Sequence, residues 1–274
     1  MRKLVRSQTA ERLKKLDREI LQVLHKPKDA DAIHDLRVSI RRLRQELRIF
    51  KAWFASEDVK GMRRSLRKLM DRCAAVRNCD IAIEVLRAAA CHKQKLVAGL
   101  EKERQRTREE LARKLDSWRK EDRTGSWRHH LQVRHSSSQE SAGEHARRLL
   151  PAMLDDLFRA GRAAARPDAN HQKMHRFRLK TKRVRYTLEL FEVVYEGATK
   201  EAMESLKGLQ DKLGAINDCA TTLEMIRLDR AAAEAVRRLA DKRVVEFRVY
   251  WKKHFGMREK LRWKAVLGAA DRKK

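Results

Sequence analysis

Two stretches of this sequence place histidine, arginine and lysine at the spacing of one helix face. The first reads HDLRVSIRRLRQELRIF from His34, and the second reads HRFRLKTKRVRYTLELF from His175. Basic residues recur in both at intervals of three and four, so they line up along a helix. The first row consists of His34, Arg37, Arg41, Arg44 and Arg48. The second consists of His175, Arg178, Lys182 and Arg185, with Glu189 at the place of the last arginine.

Such rows have the chemistry of a phosphate-binding surface. Like charges four residues apart destabilise an isolated helix by ~0.2–0.5 kcal/mol per pair. An anion bound between the two charges makes the same arrangement stabilising. Arginine presents a planar fork of donors that matches phosphate oxygens, and a histidine at the end of each row can donate to phosphate or become protonated beside it. A solvated charged face is the alternative. The recurrence of the row in both halves favours binding.

A helix that presents such a row must bury its opposite face. Apolar residues at the same three-and-four spacing predict that buried face. In the first stretch they are Ile33, Leu36, Ile40, Leu43, Leu47 and Phe50; in the second they are Met174, Phe177, Val184, Leu188 and Phe191.

The two stretches belong to an internal repeat. LRKLMDRCAAVRNCD from Leu66 matches LKGLQDKLGAINDCA from Leu206 at nearly the same offset as the histidine stretches. We interpret the chain as a tandem duplication within a single domain, 1–274, with halves 1–135 and 136–274. The linker is expected at about 121–143, where Gly, Ser and His collect.

The composition favours an all-α fold. Only 3 Pro and 10 Gly occur, and 42% of residues are hydrophobic, enough to bury a core. We expect two pseudo-symmetric four-helix bundles, with Pro27 and Gly61 as helix breaks. The predicted helices are 2–24, 28–55, 58–76 and 79–118 in the first half, and 141–164, 169–195, 199–214 and 218–240 in the second, followed by a C-terminal helix through Trp251 and Trp263.

The charge predicts an anionic partner. Lys and Arg number 67 against 38 Asp and Glu, a formal charge of +29, and aromatic residues make up only 5%. Because few aromatic side chains are present to stack on bases, we expect the ligand to be bare phosphate and not nucleic-acid bases. The four cysteines form no CxxC pair, so we expect reduced, packed thiols and no metal or other cofactor. No long apolar run occurs, so we expect a cytoplasmic protein without membrane insertion.

The repeated blocks HDLRVSIRRLR, HRFRLKTKRVR, VRNCDIAIEVL and LQDKLGAINDCATTLEMI resemble the CHAD domain, the conserved histidine α-helical domain. The resemblance covers most of the chain. It implies two pseudo-symmetric four-helix bundles that bind inorganic polyphosphate without catalysis. From such binding we expect targeting to, or organisation of, polyphosphate granules, with granule-associated proteins as partners. The implied binding residues are His34, Arg37, Arg41, Arg42, Arg44, His175, Arg178, Lys182, Arg183 and Arg185. The helical row adds Arg48, Lys180 lies next to the second row, and Arg77 is a further candidate.

The match departs from the family pattern in one block. Ala74 and Asn78 stand where the family usually has Gly and Asp, whereas Gly214 and Asp218 fit. We expect Gly214 to end a helix and Asn217 or Asp218 to cap the next, with Asn78 as the cap in the first half.

Three other functions compete with polyphosphate binding. Backbone binding to RNA or DNA uses the same arginines, although no nucleic-acid-binding motif occurs, and weak binding is expected. Histidine phosphotransfer is less favoured, because Val38 and Leu179 stand where a small residue would admit a partner domain. The His34-Asp35 pair lacks the further ligands that a metal-dependent hydrolase needs. We therefore expect no enzyme activity.

Overall fold

A computed structural model describes residues 1–131 and 140–269, and within these ranges the chain is helical and contains no strand. The all-α prediction is confirmed. The helices are α1 (Arg2–His25), α2 (Ala30–Ile49), α3 (Ser56–Ala88), α4 (Gln94–Lys120), α5 (Arg123–His130), α6 (Ala142–Ala165), α7 (His171–Leu190), α8 (Glu192–Tyr195), α9 (Lys200–Met225), α10 (Arg230–His254) and α11 (Met257–Gly268). A short 3₁₀ turn, Lys51–Trp53, follows α2. No helix in the described ranges is both long and apolar enough to cross a membrane.

The chain forms two compact units. The first comprises Met1–Glu84 and His92–Gln139, and the second comprises Val85–Cys91 and Glu140–Lys274. The second unit resumes at Glu140, inside the linker expected at about 121–143, and it also includes Val85–Cys91 at the end of α3. The duplication itself stays a prediction from the sequence.

The second unit closes four helices into a ring. Helix α6 packs on α7, α7 on α9, α9 on α10, and α10 back on α6. Trp251 stacks on Phe255 with ring centroids 4.7 Å apart, and Phe158 packs against both. A Cβ added at Gly161 would lie 2.0 Å from the Trp251 ring, so only glycine admits this close approach of α10 to α6.

The C-terminal segment completes this core. Helix α11 packs on α6, and Trp263 meets Phe255 edge to face at 5.4 Å. Lys260 and Lys264 on α11 pair with Asp155 on α6 at 2.6 and 2.8 Å. The sequence left open whether this segment fills the bundle or extends the basic surface, and its aromatic residues do the former.

The first unit is built around α1. This helix packs on α2, α4 and α5 and buries Leu13, Leu16 and Ile20. Helix α5 lies inside the expected linker and was not predicted. Its Trp127 meets Trp118 of α4 edge to face at 5.1 Å, which anchors a segment without apolar periodicity. Of the linker histidines, His135 lies outside the described residues.

Three predicted helix breaks were wrong. Helix α3 runs through 77–78, and α9 runs through Gly214, because their buried stripes continue without a gap. In α9 these residues are Leu209, Leu213, Ile216 and Cys219. Gly61 lies inside α3, and neither Asn78 nor Asn217 nor Asp218 caps a helix, since each lies within one. One interior glycine costs about 1 kcal/mol, which packing along the whole helix offsets.

The true ends lie about a dozen residues further along the chain. Ala90 takes the left-handed conformation (φ 52°) just after α3, the position where glycine is the usual signal. Asp229 caps α10 by accepting from the Ala232 amide at 3.0 Å. Pro27 lies in the turn between α1 and α2, as expected.

Candidate anion-binding helices

Helix α2 begins at a cap and is fixed by its apolar stripe. The Asp29 carboxylate accepts hydrogen bonds from the Asp31 and Ala32 amides at 2.9 and 3.4 Å. Its predicted core stripe is confirmed: Ile33, Leu36, Ile40, Leu43, Leu47 and Phe50 are all fully buried. With that face buried, His34 is exposed, and Arg37, Arg41, Arg42, Arg44 and Arg48 are half-buried.

Helix α7 has the same construction. Asn170 caps it by accepting from the Lys173 amide at 3.0 Å. The predicted core residues Met174, Phe177, Val184, Leu188 and Phe191 are buried. Around the other face, Arg183 is exposed, while His175, Arg178, Lys180, Lys182 and Arg185 are half-buried.

In the first unit, α2 lies antiparallel to α3, and the two helices bring cations together. Arg77 of α3 is close enough to His34 to act on it electrostatically. Arg44, further along α2, is close instead to Arg63 and Arg67, which precede Arg77 on α3. Arg63 and Arg67 were missed by the sequence interpretation, which followed the histidine rows alone. Their spacing of four residues on one face of α3 is the signal that identifies them.

The clustering of cations affects the proton affinity of this surface. Desolvation by neighbouring groups, followed by the charge of Arg41, lowers the pKa of His34 below its ordinary value, although the side chain stays accessible to solvent. Burial, followed by the charge of Arg63, also lowers the pKa of Arg44. Both shifts mean that positive charge is disfavoured here, and an anion would relieve this.

In the second unit, polar and acidic groups face the row. His175 Nδ1 lies 3.0 Å from Asn217 Oδ1 on α9, so Asn217 positions the histidine and does not cap a helix. Arg185 donates to Gln210 Oε1 at 2.9 Å and to Glu189 Oε1 at 3.3 Å. These contacts hold the side chains in place and partly neutralise the charge.

Two flanking candidates already have acidic partners. Lys180 donates to Asp156 on α6 at 2.9 Å. Arg77 donates to Glu84 at 3.1 Å within α3. Both pairs are accessible to solvent, where ion pairs contribute about 0–1 kcal/mol, so a polyanion can compete for either cation.

An arginine of the last long helix in each half fixes the loop before the histidine helix. Arg108 on α4 donates to the Lys28 carbonyl at 3.3 Å. Arg248 on α10 donates to the Arg166 and Pro167 carbonyls, both at 3.0 Å. The starts of α2 and α7 are therefore held by equivalent contacts.

The remaining side chains that carry reactive groups form no centre of their own. Cys73, Cys79 and Cys219 are buried, Cys91 is half-buried and all four are free thiols. Burial raises the pKa of Cys73 to about 12. Within 1–131 and 140–269, no group of three or more His, Cys, Asp and Glu side chains could hold a metal ion.

Two solved structures have a fold similar to that of this chain. The crystal structure of the CHAD domain from the plant Ricinus communis aligns with a TM-score of 0.68 at 23% identity, covering 98% of this chain and 92% of that one. PptA from Streptomyces chartreusis aligns with a TM-score of 0.63 at 16% identity, covering 96% of this chain and 99% of that one. At these identities the likeness concerns the fold. A search of curated proteins finds no match.

The sequence itself matches the model of one family. The match extends over residues 7–227, most of the chain, and includes both histidine helices and both blocks that follow them. The chain therefore belongs to the CHAD domain family.

Proposed function

We propose that this protein binds inorganic polyphosphate without chemically changing it, through the basic faces of α2 and α7. The binding residues are those of the two rows with their neighbours Arg42, Arg183 and Lys180. Membership of the CHAD family fits a polyphosphate-related role.

The observation that carries the proposal is the cationic face of α2. His34 and Arg44 lie among arginines of α2 and α3, and the pKa of each is lowered, first by desolvation and then by the charge of a neighbouring arginine. A chain of phosphates carries one negative charge per unit and can contact successive guanidinium forks. Each additional contact is then effectively intramolecular, so affinity should grow with chain length.

Binding without catalysis is part of this proposal. The partner that holds the His175 ring is the neutral amide of Asn217, which suits a histidine that donates to phosphate. The proposed role is to target the protein to polyphosphate granules, or to organise them, in the cytoplasm.

A competition experiment tests this function. Binding of polyphosphate of defined length and of RNA of similar charge is measured at about 150 mM salt, where screening suppresses nonspecific attraction. The test variant combines His34→Ala, Arg41→Ala, His175→Ala and Lys182→Ala. A matched control removes two histidines and two lysines outside the rows: His92→Ala, Lys102→Ala, His129→Ala and Lys252→Ala.

We expect polyphosphate to outcompete RNA and the test variant alone to lose it, with circular dichroism showing that both variants are folded. Tighter RNA binding would assign the surface to nucleic acid. Equal losses in both variants would show that net charge, not the rows, drives binding.

A further inference from the structure

A second group of cations lies beyond the histidine row of the first half. We call it the cationic patch; it consists of Arg44, Arg48, Lys51, Arg63, Arg64 and Arg67. Arg44 and Arg48 are on α2, Lys51 follows it, and the other three are on α3. Lys51, Arg63, Arg64 and Arg67 are exposed.

The repeat assigns one residue of the second half to each member of the patch. In the same order these are Arg185, Glu189, Glu192, Met203, Glu204 and Lys207. Two of the six remain cations, three are carboxylates and one is apolar. Three positions thus reverse their charge between the halves.

The six counterparts are close together in space. All of them line one cavity of about 450 Å³ in the second unit, between the end of α7 and the start of α9. The first unit has the same antiparallel arrangement of α2 and α3, since Arg44 lies near Arg63 and Arg67 as Arg185 lies near Met203 and Lys207. Arg44, Arg63 and Arg67 therefore lie together, and the correspondence with the second-half cavity puts Arg48, Lys51 and Arg64 on the same surface.

Nearby acids do not cancel this difference. Asp71 lies near Arg44, but its counterpart in the second half is also an aspartate, Asp211. Glu57 accepts a hydrogen bond from Lys60 at 2.8 Å and lies near Arg64. Two carboxylates beside six cations leave a positive surface. At the same six positions the second-half cavity has three carboxylates and two cations, and Lys200 is a further cation in its lining.

We infer that the cationic patch is a further phosphate-binding site, in which a polyphosphate chain lying along the His34 row continues, and that the second half lacks this site. The inference rests on the proposed function. Polyphosphate should thus bind more tightly at the row of the first half than at the row of the second, because at the second half a chain would meet Glu189, Glu192 and Glu204 beyond Arg185. Repulsion by these carboxylates opposes phosphate as directly as the patch attracts it.

Reciprocal exchanges at two exposed positions test the inference. Lys51→Glu with Arg64→Glu gives the first half the residues of the second, and Glu192→Lys with Glu204→Arg does the reverse. Two controls on α4 make the same charge changes at exposed sites: Lys102→Glu with Arg113→Glu, and Glu101→Lys with Glu109→Arg. Polyphosphate affinity is measured against salt concentration for all four and for the wild type.

We expect the first exchange to weaken binding about tenfold and to flatten the salt dependence, because counterion-releasing contacts are lost. Its control should change affinity by about twofold at most, the effect of net charge alone. The reverse exchange should tighten binding about threefold, more than its own control.

The failures are distinguishable. If the wild type binds polyphosphate but neither exchange differs from its control, the patch is not a binding site and the proposed function stands. If the wild type does not bind polyphosphate at about 150 mM salt, the proposed function itself is wrong.

Discussion

Helices α2 and α7 have the same pattern of cations and the same buried stripe, yet their surroundings differ. Around α2, arginines of α3 approach the row, and desolvation together with the charge of neighbouring arginines lowers the pKa of His34 and Arg44. Around α7, Asn217, Gln210 and Glu189 form hydrogen bonds with the row. The comparison teaches that the core of a repeat can stay constant while the electrostatic field that it presents changes through a few neighbours.

The buried face also differs at one position. Glu46 on α2 is fully buried, whereas its counterpart on α7 is Thr187. Glu46 accepts a hydrogen bond from Thr9 and has Arg12 at 3.6 Å, and burial raises its pKa from 4.5 to about 7. Thr187 satisfies its hydroxyl within its own helix, by donating to the Arg183 carbonyl at 2.8 Å. The first half thus has a titrating group in its core at a position where the second half has none.

The largest effect is expected from Glu46→Gln. A carboxyl whose pKa is raised by folding is favoured in its protonated form, so wild-type stability should fall as pH rises from about 4.5 to about 7 and then level off. The full shift corresponds to about 3 kcal/mol. Glu46→Gln should remove this fall, which denaturant unfolding at several pH values measures.

Glu101→Gln, an exposed change of the same type on α4, serves as the control and should keep the wild-type pH profile. If the free energy of unfolding fell with pH equally in Glu46→Gln and in the wild type, Glu46 would be ionised in the folded protein at little cost.

An intermediate effect is expected from His34→Gln. Phosphate beside His34 favours the imidazolium, so binding should raise its lowered pKa, and affinity should increase as pH falls through that range. The gain should be about threefold to tenfold in wild type and absent in His34→Gln. Titrating the His34 ring signal by NMR, with and without polyphosphate, measures the shift directly; an unchanged signal would remove His34 from the site.

The smallest effect is expected from Asp156→Asn. This change releases Lys180 from its 2.9 Å ion pair and should tighten polyphosphate binding about twofold. The neighbouring Asp155→Asn makes the same charge change, but its partners are Lys260 and Lys264 on α11. We expect no gain in that variant, and equal gains in both would mean that Lys180 does not contact the ligand.

The sequence predicted well what depends on periodicity. The buried stripes of α2 and α7 follow from spacing alone, because a helix of 3.6 residues per turn must bury them together. Helix ends were harder to predict. Gly214 suggested a break that the buried stripe of α9 overrides, and α3 ends before Ala90, which takes a backbone conformation that usually indicates glycine.

The site was predicted only in part, since its partners come from other helices. No spacing along α2 identifies the approach of Arg63, and none along α7 identifies Asn217 or Asp156 as partners. Glu46 lies between Arg44 and Arg48 of the basic row, and nothing in the sequence indicates that it is buried against Thr9 and Arg12 of α1. Such pairings depend on how the helices pack, which a single sequence does not reveal.

The contacts of Arg108 and Arg248 have a consequence for how each half folds. They join residues 80 to 82 positions apart, so the loop ahead of each histidine helix acquires its restraint only after the last long helix of that half has docked. Contacts of such long range are formed late, because loop closure must precede them. On the ribosome, the first histidine helix would therefore emerge with a loosely held start and become fixed some eighty residues later. Amide exchange near Lys28 should then follow the opening of α4, not that of α2.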